Sequence, residues 1–439
     1  MAILTKEEAK KIIDKVLSYA KADETAVSIG GRKTGNIRYA RNTVSTSGES
    51  SNISLSITSF FGKRSGTATI NEFDDKSLEK AVRRSEEIAK LAPENPEYVP
   101  MLGPQTYKEV KETFADSTAA IDPEYRAKAA LASIEICKKK NLTAAGYLED
   151  SAGFNAMGNS KGLFAYNKST SVDFSVTVRT DDGLGSGYAI QDYNDVSKLN
   201  AAASTEIAAQ KALASKNTVA LEPGKYTVIL EPVAAADLIQ NMMRSLDARS
   251  ADEGRSFLSK KGGGTRLGEK LFDERINIYS DPSNPEIPNS GFVMDGRPRE
   301  KTVWVEKGVV KNLAYSRYWA QKQGVKDVPP PGGFILEGGN ESLADLIKGT
   351  KKGILVTRFW YIRAVDPQTL LYTGLTRDGT FLIEDGKIKH PIKNFRFNES
   401  PVIMLNNVEA MGKPVRVNGS LIPPLKIRDF TFSSLSDAV

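Results

Sequence analysis

The chain has 439 residues, 40% hydrophobic and 26% charged, too apolar for a disordered protein and ordinary for a folded one of two or three domains. Its 60 Lys and Arg stand against 54 Asp and Glu, and the net charge of +6 is too slight to suggest a nucleic-acid face. One cysteine, Cys137, excludes an internal disulfide, and one histidine, His390, excludes a zinc site built from two or three histidines of this chain.

The basic runs Lys138–Lys140 and Lys260–Lys261 are short and read as solvated faces. The opening MAILTKEEAKK lacks the apolar region of a secretory signal, and no stretch approaches the ~20 apolar residues that cross a bilayer. A cytoplasmic protein with no membrane partner is the expectation.

In chain order, Thr5 and Glu8 form a capping box, and a helix over 5–22 follows with Ile12, Ile13, Val16, Leu17 and Ala20 on one face. Ile53, Leu55 and Ile57 alternate with Ser and Thr, as in a half-buried strand. A second helix spans 74–91, with Leu78, Val82 and Ile88 turned inward. The same order then recurs. Asp122-Pro123 open a helix with Ala127, Leu131 and Ile134 inward, and Val172, Phe174 and Val176 alternate like the earlier strand. Asp195 opens a helix with Leu199, Ala203 and Ile207 inward. The reading is an N-terminal α+β domain over 1–218 made of a duplicated unit, about 5–91 and 122–212, joined by the proline-rich 92–100. The glycine-rich 181–187 lacks the acidic ligand pattern of a calcium loop and the Gly-Lys-Ser/Thr of a P-loop, so it reads as a hairpin turn.

Residues 219–439 change texture. Tyr226–Leu230 reads as a buried strand, and Pro232 opens a helix with Ala235, Leu238, Ile239 and Met242 at helical spacing. Gly262–Gly264 read as a mobile loop. Strands flank a turn at Glu306–Gly308, and Asp-Gly pairs in 377–380 and 384–387 read as hairpin turns. Short helices fall near 316–324 and 341–349, and 425–434 reads as a closing strand. This half is expected to be β-rich with a mostly antiparallel sheet, so the fold class is α+β. His390, just past the second Asp-Gly turn, reads as a structural strand histidine.

The stretches 252–261, 267–282, 306–324 and 373–388 resemble, in the same order, the TldD/PmbA family, as does 36–50. The resemblance runs over nearly the whole chain. That family, long labelled modulators of DNA gyrase, is understood as relatives of zinc metalloproteases. It has a TldD type, with a His-Glu-x-x-x-His helix and a further cysteine on zinc, and a PmbA type, also called TldE, that lacks them and pairs with the first.

Laid on this chain, the zinc motif falls at Glu231, Pro232 and Ala236, and a register one residue later brings Asp237 into the last slot. Pro and Ala cannot ligate, and a proline cannot accept a proton from a metal-bound water. Cys137 lies in the first half and cannot stand for the family's late cysteine. The resemblance therefore implies a PmbA-type subunit with no metal or catalytic residue of its own, zinc being expected only in a TldD-type partner. It implies a heterodimer with that partner, or a homodimer, that handles peptides such as microcin-type precursors or unfolded polypeptides. Glu253, Arg255 and Ser256 match a family motif and are candidates for supporting a cleft or interface; tying down their own loop is the competing role. The alternatives are a stand-alone binding or regulatory protein for a peptide or gyrase-related partner, and a homodimer with residual hydrolase activity. A histidine-free hydrolase would need a Ser-Lys pair; Ser77 and Lys80 meet the spacing, on an ordinary amphipathic helix.

Overall fold

The computed structural model describes residues 3–437. Its N-terminal half carries one six-stranded antiparallel sheet to which each repeat gives three strands. The first gives Glu24–Ala40, Thr43–Phe61 and Arg64–Ile70, the second Leu142–Asn159, Phe164–Thr180 and Ser186–Tyr193. The two leading strands meet at the centre, from Ala26 opposite Asn159 to Tyr39 opposite Gly146, and the others extend outward from them. Each repeat places a helix before its strands (Lys6–Tyr19, Pro123–Lys139) and one after (Asp75–Leu91, Ala201–Ala214). Local chemistry fixes where they start. The Thr5 hydroxyl accepts the Glu8 N–H while Glu8 reaches back to the Thr5 N–H, and Asp74 and Asp122 cap their helices through side-chain oxygens.

All four helices belong to two apolar clusters on one face of the sheet. Ile13, Val16, Leu78 and Val82 pack with Ile29, Leu55 and Ile57; Ile134 and Ala208 pack with Leu148, Phe174 and Val178. The other face is polar, with Ser56 bonded to Thr69 and Thr58 to Thr67 across strands.

Three helix faces differ from the sequence expectation. Ile88, Leu131 and Ile207 are exposed, as are Ala127 and Ala203. The last helix buries Ser204, Thr205, Ala208, Ala209 and Ala212 instead, because it lies too close to the sheet for large side chains: a Cβ on Gly187 would stand 2.0 Å from the Ala208 carbonyl oxygen. Asp195 caps only the single turn Val196–Lys198, and Asn200 caps the helix proper. In the helix Pro123–Lys139 the buried stripe contains Arg126, fully enclosed over Gly35. Its Nε donates to Asp150 Oδ1 at 2.5 Å and its Nη2 to Glu49 Oε1 at 2.8 Å. Gly35 lies opposite both acidic residues in the sheet, so three strands converge on one guanidinium.

In the C-terminal half, the strand Gly224–Leu230 lies between Lys352–Asp366, to which it is parallel, and Leu425–Ser436, to which it is antiparallel. The sheet continues through Asn394–Glu399 to Leu371–Glu384, which pairs back onto Lys352–Asp366 and closes a five-stranded barrel. Lys387–Pro391 adds to its outside. Phe359, Phe395, Phe397, Phe430 and Phe432 form a buried aromatic cluster, with Phe359 and Phe397 centroids 4.4 Å apart. A second sheet of short strands, among them Ile278–Ser280 and Thr302–Glu306, packs on the same core.

The Asp-Gly pair expected to make a turn at 377–380 does not. Residues 371–384 are one strand, and Asp378 and Gly379 together face Thr357 in a β-bulge. Both have positive φ, +55° and +122°, a conformation an Asp-Gly pair adopts in a bulge as well as in a turn. The pair at 385–386 does form its turn.

Removing one partner of a buried ion pair costs about 3–5 kcal/mol. Arg126→Met is therefore expected to lower unfolding free energy in urea by about that amount, because Asp150 is left enclosed without its cation. A loss under about 1 kcal/mol would mean that the guanidinium is a passive filler.

Candidate functional site

The strand Gly224–Leu230 delivers the chain to Glu231, whose N–H donates to the Val356 carbonyl at 3.0 Å. Glu231 is the N-cap of the helix Pro232–Arg244, and Pro232 takes the first helical position, where no N–H is needed. Ala234, Ala235, Ala236, Leu238, Ile239, Met242 and Met243 pack inward.

Of the three slots named from the sequence, only Glu231 bears a donor, and that donor is engaged. Its Oε2 accepts Lys211 Nζ at 2.6 Å and its Oε1 the Thr357 hydroxyl at 3.2 Å. Ala236 is fully buried and Pro232 partly so. This donor set does not fit a zinc ion, which takes three or four nitrogen, sulfur or oxygen ligands around one point. Among the described residues no three His, Cys, Asp or Glu side chains gather closely enough to hold a metal.

Asp237 points toward the barrel, where its Oδ2 accepts the Phe359 N–H at 3.1 Å. Burial pushes its pKa up to about 7, against the pull of that N–H and of Arg358. Arg358 donates to Asp378 at 2.6 Å and lies over the Tyr188 ring at 3.7 Å. Asp378 also accepts the Ser186 hydroxyl. Ser186, Tyr188 and Lys211 belong to the second repeat, so Glu231 and Asp378 sit inside a polar joint between the two halves. Arg416 adds a further tie, to Asp192 at 2.9 Å.

The loop residues Glu253, Arg255 and Ser256 lie elsewhere. Glu253 accepts from Arg249 at 2.9 Å and pairs with Arg255, while Arg249 reaches Glu97 in the connection between repeats. The Ser256 hydroxyl accepts the Leu258 N–H, and Gln368 donates to the Gly254 carbonyl at 3.1 Å. None of these partners is shared with Glu231, and each contact ties the loop down.

The remaining nucleophile candidates are committed. The Cys137 thiol is buried and pushed up to about 11. The Ser77 hydroxyl donates to Glu72 at 2.9 Å within a helix-cap arrangement. His390 is half-buried, with Nδ1 3.2 Å from the Pro391 carbonyl oxygen. Lys211, Tyr188, Arg358 and Asp378 were not singled out by sequence reasoning. The one available signal was the Asp-Gly pair at 378–379, which marks positive φ without saying whether a turn or a bulge uses it.

Three models of one family tile the chain: PmbA/TldA metallopeptidase domain 1 at residues 26–89, the central domain at 112–216 and the C-terminal domain at 223–434. The chain belongs to the PmbA/TldD metallopeptidase family. An uncharacterised protein of Methanocaldococcus jannaschii is 25% identical over 381 residues, covering 79% of this chain and 83% of its own. Metalloprotease PmbA of Escherichia coli O157:H7 is 21% identical over 461 residues, covering 97% and 98%. The crystal structure of TldE from Thermococcus kodakarensis superposes with a TM-score of 0.86 at 20% identity, over 97% of this chain and 99% of that one. This last likeness is one of fold. No helix among the described residues is long and apolar enough to cross a membrane.

Two outcomes test the joint. Folded Asp237 keeps its proton up to about pH 7, whereas in the unfolded chain it releases it near pH 4. Folding therefore binds a proton across that window, and stability falls as pH rises through it. Asp237→Asn, which keeps an acceptor for Phe359, is expected to flatten Tm against pH between 5 and 8 and to gain most at the upper end. Unchanged curves would refute the raised pKa. Lys211→Met leaves Glu231 enclosed without a cation and is expected to speed limited proteolysis in 215–223, read by gel; an unchanged rate would mean the pair does not hold the halves together.

Proposed function

We propose that this chain is a non-catalytic subunit of a PmbA/TldD-type metallopeptidase complex that cleaves or degrades peptides. The observation that carries this reading is the chemistry of the strand-to-helix junction at Glu231, Pro232 and Ala236, the residues on which the family's zinc motif is laid by resemblance. The only carboxylate there is locked to Lys211 at 2.6 Å. A proline and a buried alanine offer neither ligand nor general base. The partner is a TldD-type catalytic subunit that brings its own zinc, and peptides are the substrate class. The engaged Cys137, Ser77 and His390 support the same reading, since each alternative nucleophile or base has a structural occupation.

The test is reconstitution. The chain purified alone is expected to carry far less than one zinc per molecule and to leave unfolded casein and short peptides intact. Mixed with a TldD-type chain from the same cell, it is expected to co-elute and support cleavage. Stoichiometric zinc with turnover by the lone chain would overturn the proposal, as would full activity of the partner without it.

A further inference from the structure

The polar face of the N-terminal sheet holds a groove of about 650 Å³, roofed by residues 287–290 and the turn around Arg416 and Gly419 of the C-terminal half. Two adjacent cross-strand rows form its floor. Ser54, Gly30, Asn155 and Asn167 lie side by side on four strands. In the next row Arg32 stands between Asn52 and Gly153. Strands lie about 4.8 Å apart, so four of them span about 14 Å, room for about four extended residues.

The lining contains no carboxylate. Of its two arginines, Arg416 is engaged by Asp192 and Asn194 at 2.9 Å each. Arg32 is exposed and, among the described residues, makes no hydrogen bond or close ion pair, the Asp173 carboxylate acting on it only at longer range; the amides of Asn52 and Asn155 beside it are likewise without hydrogen-bond partners. These three side chains form a cationic, hydrogen-bond-rich patch on a rigid floor of strands.

We infer that this groove binds an extended peptide through a carboxylate, held by the Arg32 guanidinium with the Asn52 and Asn155 amides on the adjoining backbone. The planar guanidinium matches a carboxylate with two parallel hydrogen bonds. Each amide offers both a donor and an acceptor, as a peptide backbone does. A phosphodiester chain has acceptors only, and would call for more cations and for stacking rings. The aromatic ring in this part of the sheet, Phe154, is buried in the helix-side core. The inference rests on the peptide-handling reading above, and adds where on this subunit the peptide lies and which of its groups is recognised.

Fluorescence anisotropy of the full chain, without partner or zinc, tests it. The probe is a fluorescein-labelled hexapeptide of Gly, Ser and Val ending in two Glu, compared with its C-terminal amide, its Gln-Gln free acid and its Gln-Gln amide. The free acid is expected to bind, and the fully neutral peptide to bind roughly tenfold more weakly or worse. The two intermediate peptides report whether the terminal or a side-chain carboxylate is held. Arg32→Gln is expected to erase the difference between acid and neutral peptides with little change in Tm, since the side chain is exposed and makes no hydrogen bond. Equal binding of neutral and acidic peptides, no binding at all, an unaffected Arg32→Gln variant, or displacement by an equal concentration of single-stranded oligonucleotide would each overturn it. The assay involves no cleavage, so a zinc-carrying, active lone chain would refute the non-catalytic reading and leave this one standing.

Discussion

The strand Lys352–Asp366 pairs on one edge with Gly224–Leu230 and on the other with Leu371–Glu384, and that double pairing closes the barrel. Closure leaves no slack in register. A strand with partners on both sides cannot slip without turning its buried side chains outward. The extra residue at Asp378–Gly379 is absorbed where the barrel meets the second repeat. There it re-aims Asp378 toward Arg358 and Ser186. A Cβ at Gly379 would stand 2.8 Å from Thr357 Oγ1, and the Thr357 hydroxyl donates to Glu231 alongside Lys211. The bulge, the carboxylate at the helix start and the contact between the halves are thus one mechanical unit.

The electrostatics of the helix start agree with its present occupant. The first amides of a helix present partial positive charge, which favours an anion at the cap position. Glu231 meets that preference and gains Lys211 as well. A divalent cation at the same point would face the helix dipole and need several neutral or anionic ligands to offset it. Proline and alanine provide none. The helix start is satisfied with one carboxylate and one ammonium, at a cost in desolvation that the pair's short geometry and the Thr357 hydrogen bond reduce.

Much of this was legible in the sequence, and the residues show why the rest was not. Periodicity of two found Leu55, Ile57, Val172, Phe174 and Val176, since strand alternation depends only on the pleat. The caps at Thr5, Asp74 and Asp122 were legible because a cap is local chemistry. The faces of the helices Pro123–Lys139 and Ala201–Ala214 were not. Ile134 does face inward as expected, but the rest of the two stripes consists of Arg126, Cys137 and of Ala, Ser and Thr, and apolar counting turns such a helix toward its exposed Leu131 or Ile207. The decisive terms, a glycine in the opposing strand and two carboxylates on other strands, lie far away in sequence. At the candidate site, the order strand–Glu–Pro–helix could be read directly. Lys211, 20 residues earlier, and Thr357, 126 residues later, could not, because nothing local marks them as partners.

The N-terminal sheet has two faces with different fates. The helix side is apolar in both copies and accounts for folding, since each pair of helices covers strands of both copies: Phe154 and Ala156 lie in the first pair's cluster, Ile37 and Tyr39 in the second's. The opposite side carries Ser, Thr, Asn and Arg, residues that do nothing for a core. Arg32, Asn52 and Asn155 gather on three adjacent strands of this face, beneath a roof supplied by the other half of the chain. Arg416, whose turn forms part of that roof, is also tied to Asp192 at the far strand of the sheet. The contact that fixes the two halves therefore also fixes the height of the groove. A change that loosens the joint reaches the polar floor through the roof, without touching a residue of the floor itself.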